Sequence, residues 1–184
     1  MQNESSGSSG SSNPPSPERP ELDDDLLKYA EEVFELAREG DAVTLEGLLA
    51  KGLPANLRNH KGDSLLMLAS YYGHLDAVKV LLAHKADPQV RNDRGQTPLA
   101  GAAFKGDLGI VQALIEHGAD VEGASPDGRT ALMMAAMFNR VEIVKYLLAH
   151  GAAVDAKDAA GTTAHDAALK MGAPDTPGLL AKMQ

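Results

Sequence analysis

The strongest constraint on this chain is a period. Gly62, Gly95, Gly128 and Gly161 lie 33 residues apart, and Gly40, Gly73 and Gly106 keep the same interval, which Asn139 and Gly172 continue. Stacking residues 62–94, 95–127 and 128–160 aligns GDSLLMLASYYGHLDAVKVLLAHKAD, GQTPLAGAAFKGDLGIVQALIEHGAD and GRTALMMAAMFNRVEIVKYLLAHGAA without a gap. Residues 29–61 follow the register more loosely, and 161–184 form a truncated copy. A unit this short cannot bury its own apolar face. A stack of such units can, because each covers its neighbour.

Within each block the residues spell out two helices. Ser64, Thr97, Thr130 and Thr163 stand where a hydroxyl can accept from the free N–H groups of a helix start, and Pro98 suits a first helical position. The Ala-rich helix that follows is expected to stop near the Gly73-type residue. A second helix places Val78, Leu81 and Leu82, or Ile110, Val111, Leu114 and Ile115, on one face at i, i+3, i+4 spacing. It should end near Gly118 or Gly151, where a left-handed backbone is natural. Aromatics are 4% of the chain and tryptophan is absent. The core therefore falls to Ala, Leu and Val, which favours close-packed helices.

These elements resemble the ankyrin repeat. The resemblance rests on GQTPLAGAA, GHLDAVKVLLAHKAD and GADV, and it covers roughly residues 26–184. It implies an all-α solenoid of helix-turn-helix units joined by hairpin-like connectors. The expected organisation is a domain over 25–184, with repeats at about 29–61, 62–94, 95–127 and 128–160 and a cap at 161–184. The ends suit capping. DDDLLKYAEEVFELAREGD opens with acids that favour a helix N-terminus. In the last block His165 replaces the Leu66, Leu99 and Leu132 of the other copies, and Pro177 after Thr176 can start a short final helix.

Residues 1–24 form a Ser/Gly/Pro-rich acidic tail with too few apolar side chains to offset the entropy of ordering, and are expected to be disordered. Their PPSPERP carries PxxP spacing, a pattern that docks on aromatic-lined grooves but also occurs in plain leaders. The net charge of −9 argues against nucleic acid as a partner. No apolar run approaches the ~20 residues of a membrane helix, and no secretory signal is evident, so neither a membrane nor export is expected. A cytoplasmic monomer is the expectation, with the nucleus as the other compartment.

His84, His117 and His150 recur at the same interval beneath the second helices. Helices in a stack are about 8–10 Å apart, too far for successive rings to share one metal ion. The rings read instead as covers for helix ends. There is no cysteine, and no GxxxxGK[ST], GxGxxG, HExxH or GxSxG pattern occurs. His165–Asp166 is half a triad without a nucleophile. No catalytic residue, cofactor or metal ligand is assigned.

The ankyrin resemblance implies a non-catalytic protein-binding module, an adaptor, inhibitor or chaperone-like cover, contacting its partner with connector tips and the concave face of the first helices. The alternative is a regulatory subunit of an enzyme, with the tail also recognised. Carried onto this chain, the contact positions are Tyr71, Tyr72, Phe104, Lys105, Met137 and Phe138 at first-helix ends, with Arg58, Lys61, Arg91, Arg94 and Arg129 on the connectors. Exposed aromatics are common interface anchors. The basic connectors of an acidic protein add the expectation of a partner with an apolar anchor flanked by acidic residues.

Overall fold

The computed structural model describes residues 24–183. The tail expected at 1–24 lies outside them, except for Asp24. The described residues form ten helices: α1 (Asp24–Glu39), α2 (Ala42–Ala50), α3 (Leu65–Tyr72), α4 (Leu75–Ala83), α5 (Pro98–Lys105), α6 (Leu108–Glu116), α7 (Ala131–Met137), α8 (Val141–Ala149), α9 (Ala164–Met171) and α10 (Thr176–Ala181). Among them one isolated antiparallel β-bridge pairs Arg58 with Ser64.

The helix starts follow from their caps. Ser64, Thr97, Thr130 and Thr163 accept from the amides of Met67, Ala100, Met133 and Asp166 at 3.1, 3.2, 3.3 and 3.2 Å. Each such cap contributes about 1 kcal/mol. Pro98 sits in the first turn of α5. The first helices stop at Gly73, Gly106 and Gly172, all left-handed, and Asn139 takes the same conformation with φ 54°. Four aligned caps and four aligned stops are what the period encodes.

The second helices end at His84, His117 and His150. The next residue is left-handed each time: Lys85, Gly118 and Gly151. Nδ1 of His117 and His150 lies 2.8 Å from the carbonyl oxygens of Ala113 and Tyr146. Because a carbonyl only accepts, the ring nitrogen donates, and the ring covers its own last turn. The His84 ring makes no such bond. The copied histidine is thus a helix-end part in two of three copies.

The first helices pack side by side in the order α1, α3, α5, α7, α9, and α2, α4, α6 and α8 form a second layer. Ala37, Ser70, Ala103 and Ala136 occupy one register of the first layer, each fully buried, and their small size lets neighbouring helices close up. Leu66, Leu99 and Leu132 fill the layer below, with Leu81, Leu114 and Leu147 opposite. Each contributes about 1.5–3 kcal/mol by leaving water.

The connectors are tight turns closed by Asn59, Asn92, Ser125 and Asp158, whose amides donate to the carbonyls of Asp63, Gln96, Arg129 and Thr162. Side-chain oxygens of Asn59, Asn92 and Asp158 also accept two turn amides each. At the far end α10 packs on α9 and α7.

Candidate partner-binding surface

The inner ends of the first helices carry a continuous run of rings. Tyr72 meets Tyr71 edge-on at 5.5 Å, Tyr71 lies parallel to Phe104 at 6.4 Å, and Phe104 meets Phe138 edge-on at 4.6 Å. Such contacts contribute about 0.5–1.5 kcal/mol each beyond burial, so the rings are held before anything binds. Lys105 Nζ sits 4.7 Å above the Tyr71 ring. Tyr71 is 41% exposed and Tyr72 51%, whereas Phe104, Met137 and Phe138 are half-buried. The run exists because the helix ends at a fixed register, so residues 33 apart are neighbours in space.

A groove of about 730 Å³ runs between these rings and the connectors, and Tyr71, Tyr72 and Phe104 form its wall. Lys61, Arg94 and Arg129 reach it from the connector side, and Met67, Leu68 and Met134 line its floor. Lys61 and Arg94 are exposed and make no ion pair among the described residues. Arg129 is occupied, its Nε 3.2 Å from Asp127 Oδ2. The Ser125 hydroxyl donates to that carboxylate and, with Arg129, holds Asp127 below the usual carboxylate range.

The other basic candidates stand elsewhere. Arg58 donates from Nε to Gly62 O at 3.0 Å and from Nη2 to Arg91 O at 2.7 Å, so it ties one connector to the next. Arg91 repeats the arrangement, donating to Gly95 O and to Ala124 O. These two guanidiniums serve as rungs between connectors. Phe138, Met137 and Lys105 continue the ring face beyond the groove lining. The structure therefore gathers Tyr71, Tyr72, Phe104, Lys61, Arg94 and Arg129 in one groove, and separates Arg58 and Arg91 from it by their backbone bonds.

Sequence reasoning missed Gly101. It lies mid-helix in α5, where a glycine costs about 1 kcal/mol relative to alanine. A Cβ there would come 3.9 Å from Tyr71, so its absence opens the groove beside that ring. The signal was available: Leu68 and Met134 hold the same register in the neighbouring copies, and a glycine between them marks a space.

No helix among the described residues is long and apolar enough to cross a membrane. The chain matches the model described as Ankyrin repeats (3 copies) over residues 33–124, and the one described as Ankyrin repeat over 127–159. A curated protein of Pseudomonas aeruginosa, named as an ankyrin repeat protein, is 63% identical over 60 residues. That match covers 33% of this chain and 35% of the relative, about a third of its length. Ankyrin repeats are generally protein–protein interaction modules. With the helix pairs, their shared caps and these matches together, the chain belongs to the ankyrin-repeat family.

Proposed function

We propose that this chain is a non-catalytic binding module that holds a partner protein in the groove on its concave, first-helix face. The observation that carries the reading is that one groove brings together preformed rings, Tyr71, Tyr72 and Phe104, and two cations, Lys61 and Arg94, that make no ion pair among the described residues. An apolar side chain entering between the rings loses little entropy in ordering them, because they already brace one another. Lys61 and Arg94 add attraction for acidic residues flanking that anchor and speed its encounter. The fitting partner is a protein segment with an apolar anchor beside carboxylates, met by an adaptor, inhibitor or cover.

The test is a comparative capture from lysate of the source cells. The native chain is run beside Tyr71→Ala/Phe104→Ala and beside Lys61→Glu/Arg94→Glu, each first shown folded by circular dichroism. The expected partner is held by the native chain, lost by the ring variant, and retained by the native chain less well as salt rises. A partner held equally by all three chains would move the binding site off this groove.

A further inference from the structure

The groove holds a recess that the fold itself does not require. Three successive first helices make its floor. Met67 and Leu68 come from α3 and Met134 from α7, but α5 between them brings only Ala100 and Gly101. Leu68, Gly101 and Met134 lie 33 residues apart and so hold one register. A side chain of leucine or methionine size is therefore missing from the middle of a row that has one on either side.

Glycine inside an element usually answers to a left-handed backbone or to a neighbour that leaves no room for a Cβ. Gly101 answers to neither. Its backbone is helical, and a Cβ built on it would meet nothing nearer than Tyr71 Cδ2 at 3.9 Å, an ordinary van der Waals contact. At Gly109 in the next helix the same Cβ would come 3.2 Å from Leu75, so that glycine is set by packing. Alanine at position 101 would fit the folded chain and favour the helix. Gly101 is also half-buried and lines the groove, so the space beside it is reached from outside. A local rule broken with no gain inside the fold marks a use outside it.

The rim of the groove has a sign. The two acids that line it among the described residues are engaged: Asp63 Oδ1 accepts from Asn92 Nδ2 at 2.8 Å, and Asp127 is held by Ser125 and Arg129. Lys61 and Arg94 make no ion pair among the described residues. Positive charge is thus on offer beside an apolar recess.

We infer that Gly101 sets the specificity of this groove: the recess takes one aliphatic side chain of leucine or methionine size from a partner segment, whose flanking carboxylates meet Lys61 and Arg94. This rests on the groove being the binding site proposed above. Filling the recess takes the anchor and the recess walls out of water together, which is how an apolar pocket discriminates by size. The carboxylates add attraction without choosing the anchor.

The probes are synthetic peptides of the pattern Asp-Glu-X-Glu-Asp, with X as Ala, Leu, Met or Trp, titrated into the isotope-enriched full chain and followed by its amide shifts. The Leu and Met peptides should bind about ten- to fiftyfold tighter than the Ala peptide, and tighter than the Trp peptide. Gly101→Leu fills the recess and should bring the Leu peptide down to the level of the Ala peptide. Lys61→Glu/Arg94→Glu should weaken every peptide and leave the ratio of Leu to Ala unchanged. Gly101→Ala should raise Tm by about 2–4 °C; a lower Tm would assign the glycine to packing within the stack and overturn the proposal. It is overturned equally by a preference for Leu and Met that is absent or survives Gly101→Leu, or by binding of no peptide at about 1 mM. If the size preference fails while partner capture still depends on Tyr71 and Phe104, the binding reading stands and Gly101 has no part in it.

Discussion

Asn139 interrupts a glycine series, and the structure gives it a task that can be measured. It holds a left-handed backbone, φ 54°, that glycine would adopt without strain. Its Oδ1 accepts from the amides of Asp175 and Thr176 at 3.0 and 3.1 Å, and its Nδ2 donates to Asp175 Oδ2 at 2.9 Å. The N-terminus of α10 has no side-chain cap of its own, so the preceding repeat supplies one. Asn139→Gly removes that cap, at about 1–2 kcal/mol, and the weaker exposed bond to Asp175, at about 0.5 kcal/mol. Relief of the left-handed strain returns about 1 kcal/mol, and the greater freedom of the unfolded chain takes back about 0.5 kcal/mol. The net expectation is a loss of about 1–2 kcal/mol. It should be local, because each repeat touches only its neighbours. Native-state hydrogen exchange reads it directly: the amides of Leu179 and Leu180 should exchange about five- to thirty-fold faster, and those of α5 should not change. Asn139→Ala, which keeps the strain and loses the bonds, should be worse. If Asn139→Gly leaves α10 protected as before, the cap contributes no more than its backbone strain costs, and the reasoning fails.

Two further perturbations test the scaffold. Ser70 is fully buried and its hydroxyl has no hydrogen-bond partner among the described residues, while Ala37, Ala103 and Ala136 fill the same register. Ser70→Ala should therefore stabilise the fold by about 1 kcal/mol, raising Tm by about 2–4 °C; an unchanged or lower Tm would show that the hydroxyl is satisfied after all. The Thr163 amide and hydroxyl donate to Asp166 and hold its carboxyl below the usual range. A carboxylate with a depressed folded pKa contributes stability above its unfolded value, about 3.9, and loses it as pH falls through the folded value. The stability difference between native chain and Asp166→Asn should thus be present at pH 7 and shrink on acidification below pH 4. Urea unfolding at both pH values checks it, and a constant difference would count against the capping box.

The fold was legible because its instructions are local and repeated. Thr97 and Gly106 state where α5 starts and stops without reference to anything distant, and three other copies say the same. The ring face was legible for the same reason, since the register that ends each helix also places Tyr71 beside Phe104. The rungs were not. Arg58 and Arg91 recur at 33 residues, as do Lys61 and Arg94, and nothing in residue type distinguishes the pairs. Only the turn geometry does so, aiming the first pair at the next connector's carbonyl oxygens and leaving the second at the groove, without ion pairs among the described residues. Asn139 was legible as a departure from glycine but not as a cap, because its partners lie 36 and 37 residues away in a block that no longer follows the pattern.

The same comparison explains why the scaffold speaks more plainly than the site. Where the copies agree, as at Ser64, Thr97, Thr130 and Thr163 or at Leu66, Leu99 and Leu132, the residue answers to packing or capping inside the stack. Where they disagree, packing has released the position. The register of Arg38, Tyr71, Phe104 and Met137 holds four different side chains, and so does that of Glu39, Tyr72, Lys105 and Phe138. Those registers meet at the helix ends beside the groove. A solenoid thus divides its sequence into positions set by the neighbouring repeat and positions free to suit something outside it. Disagreement between copies at a fixed register, coupled with exposure, is the feature of this single sequence on which the proposed binding face rests.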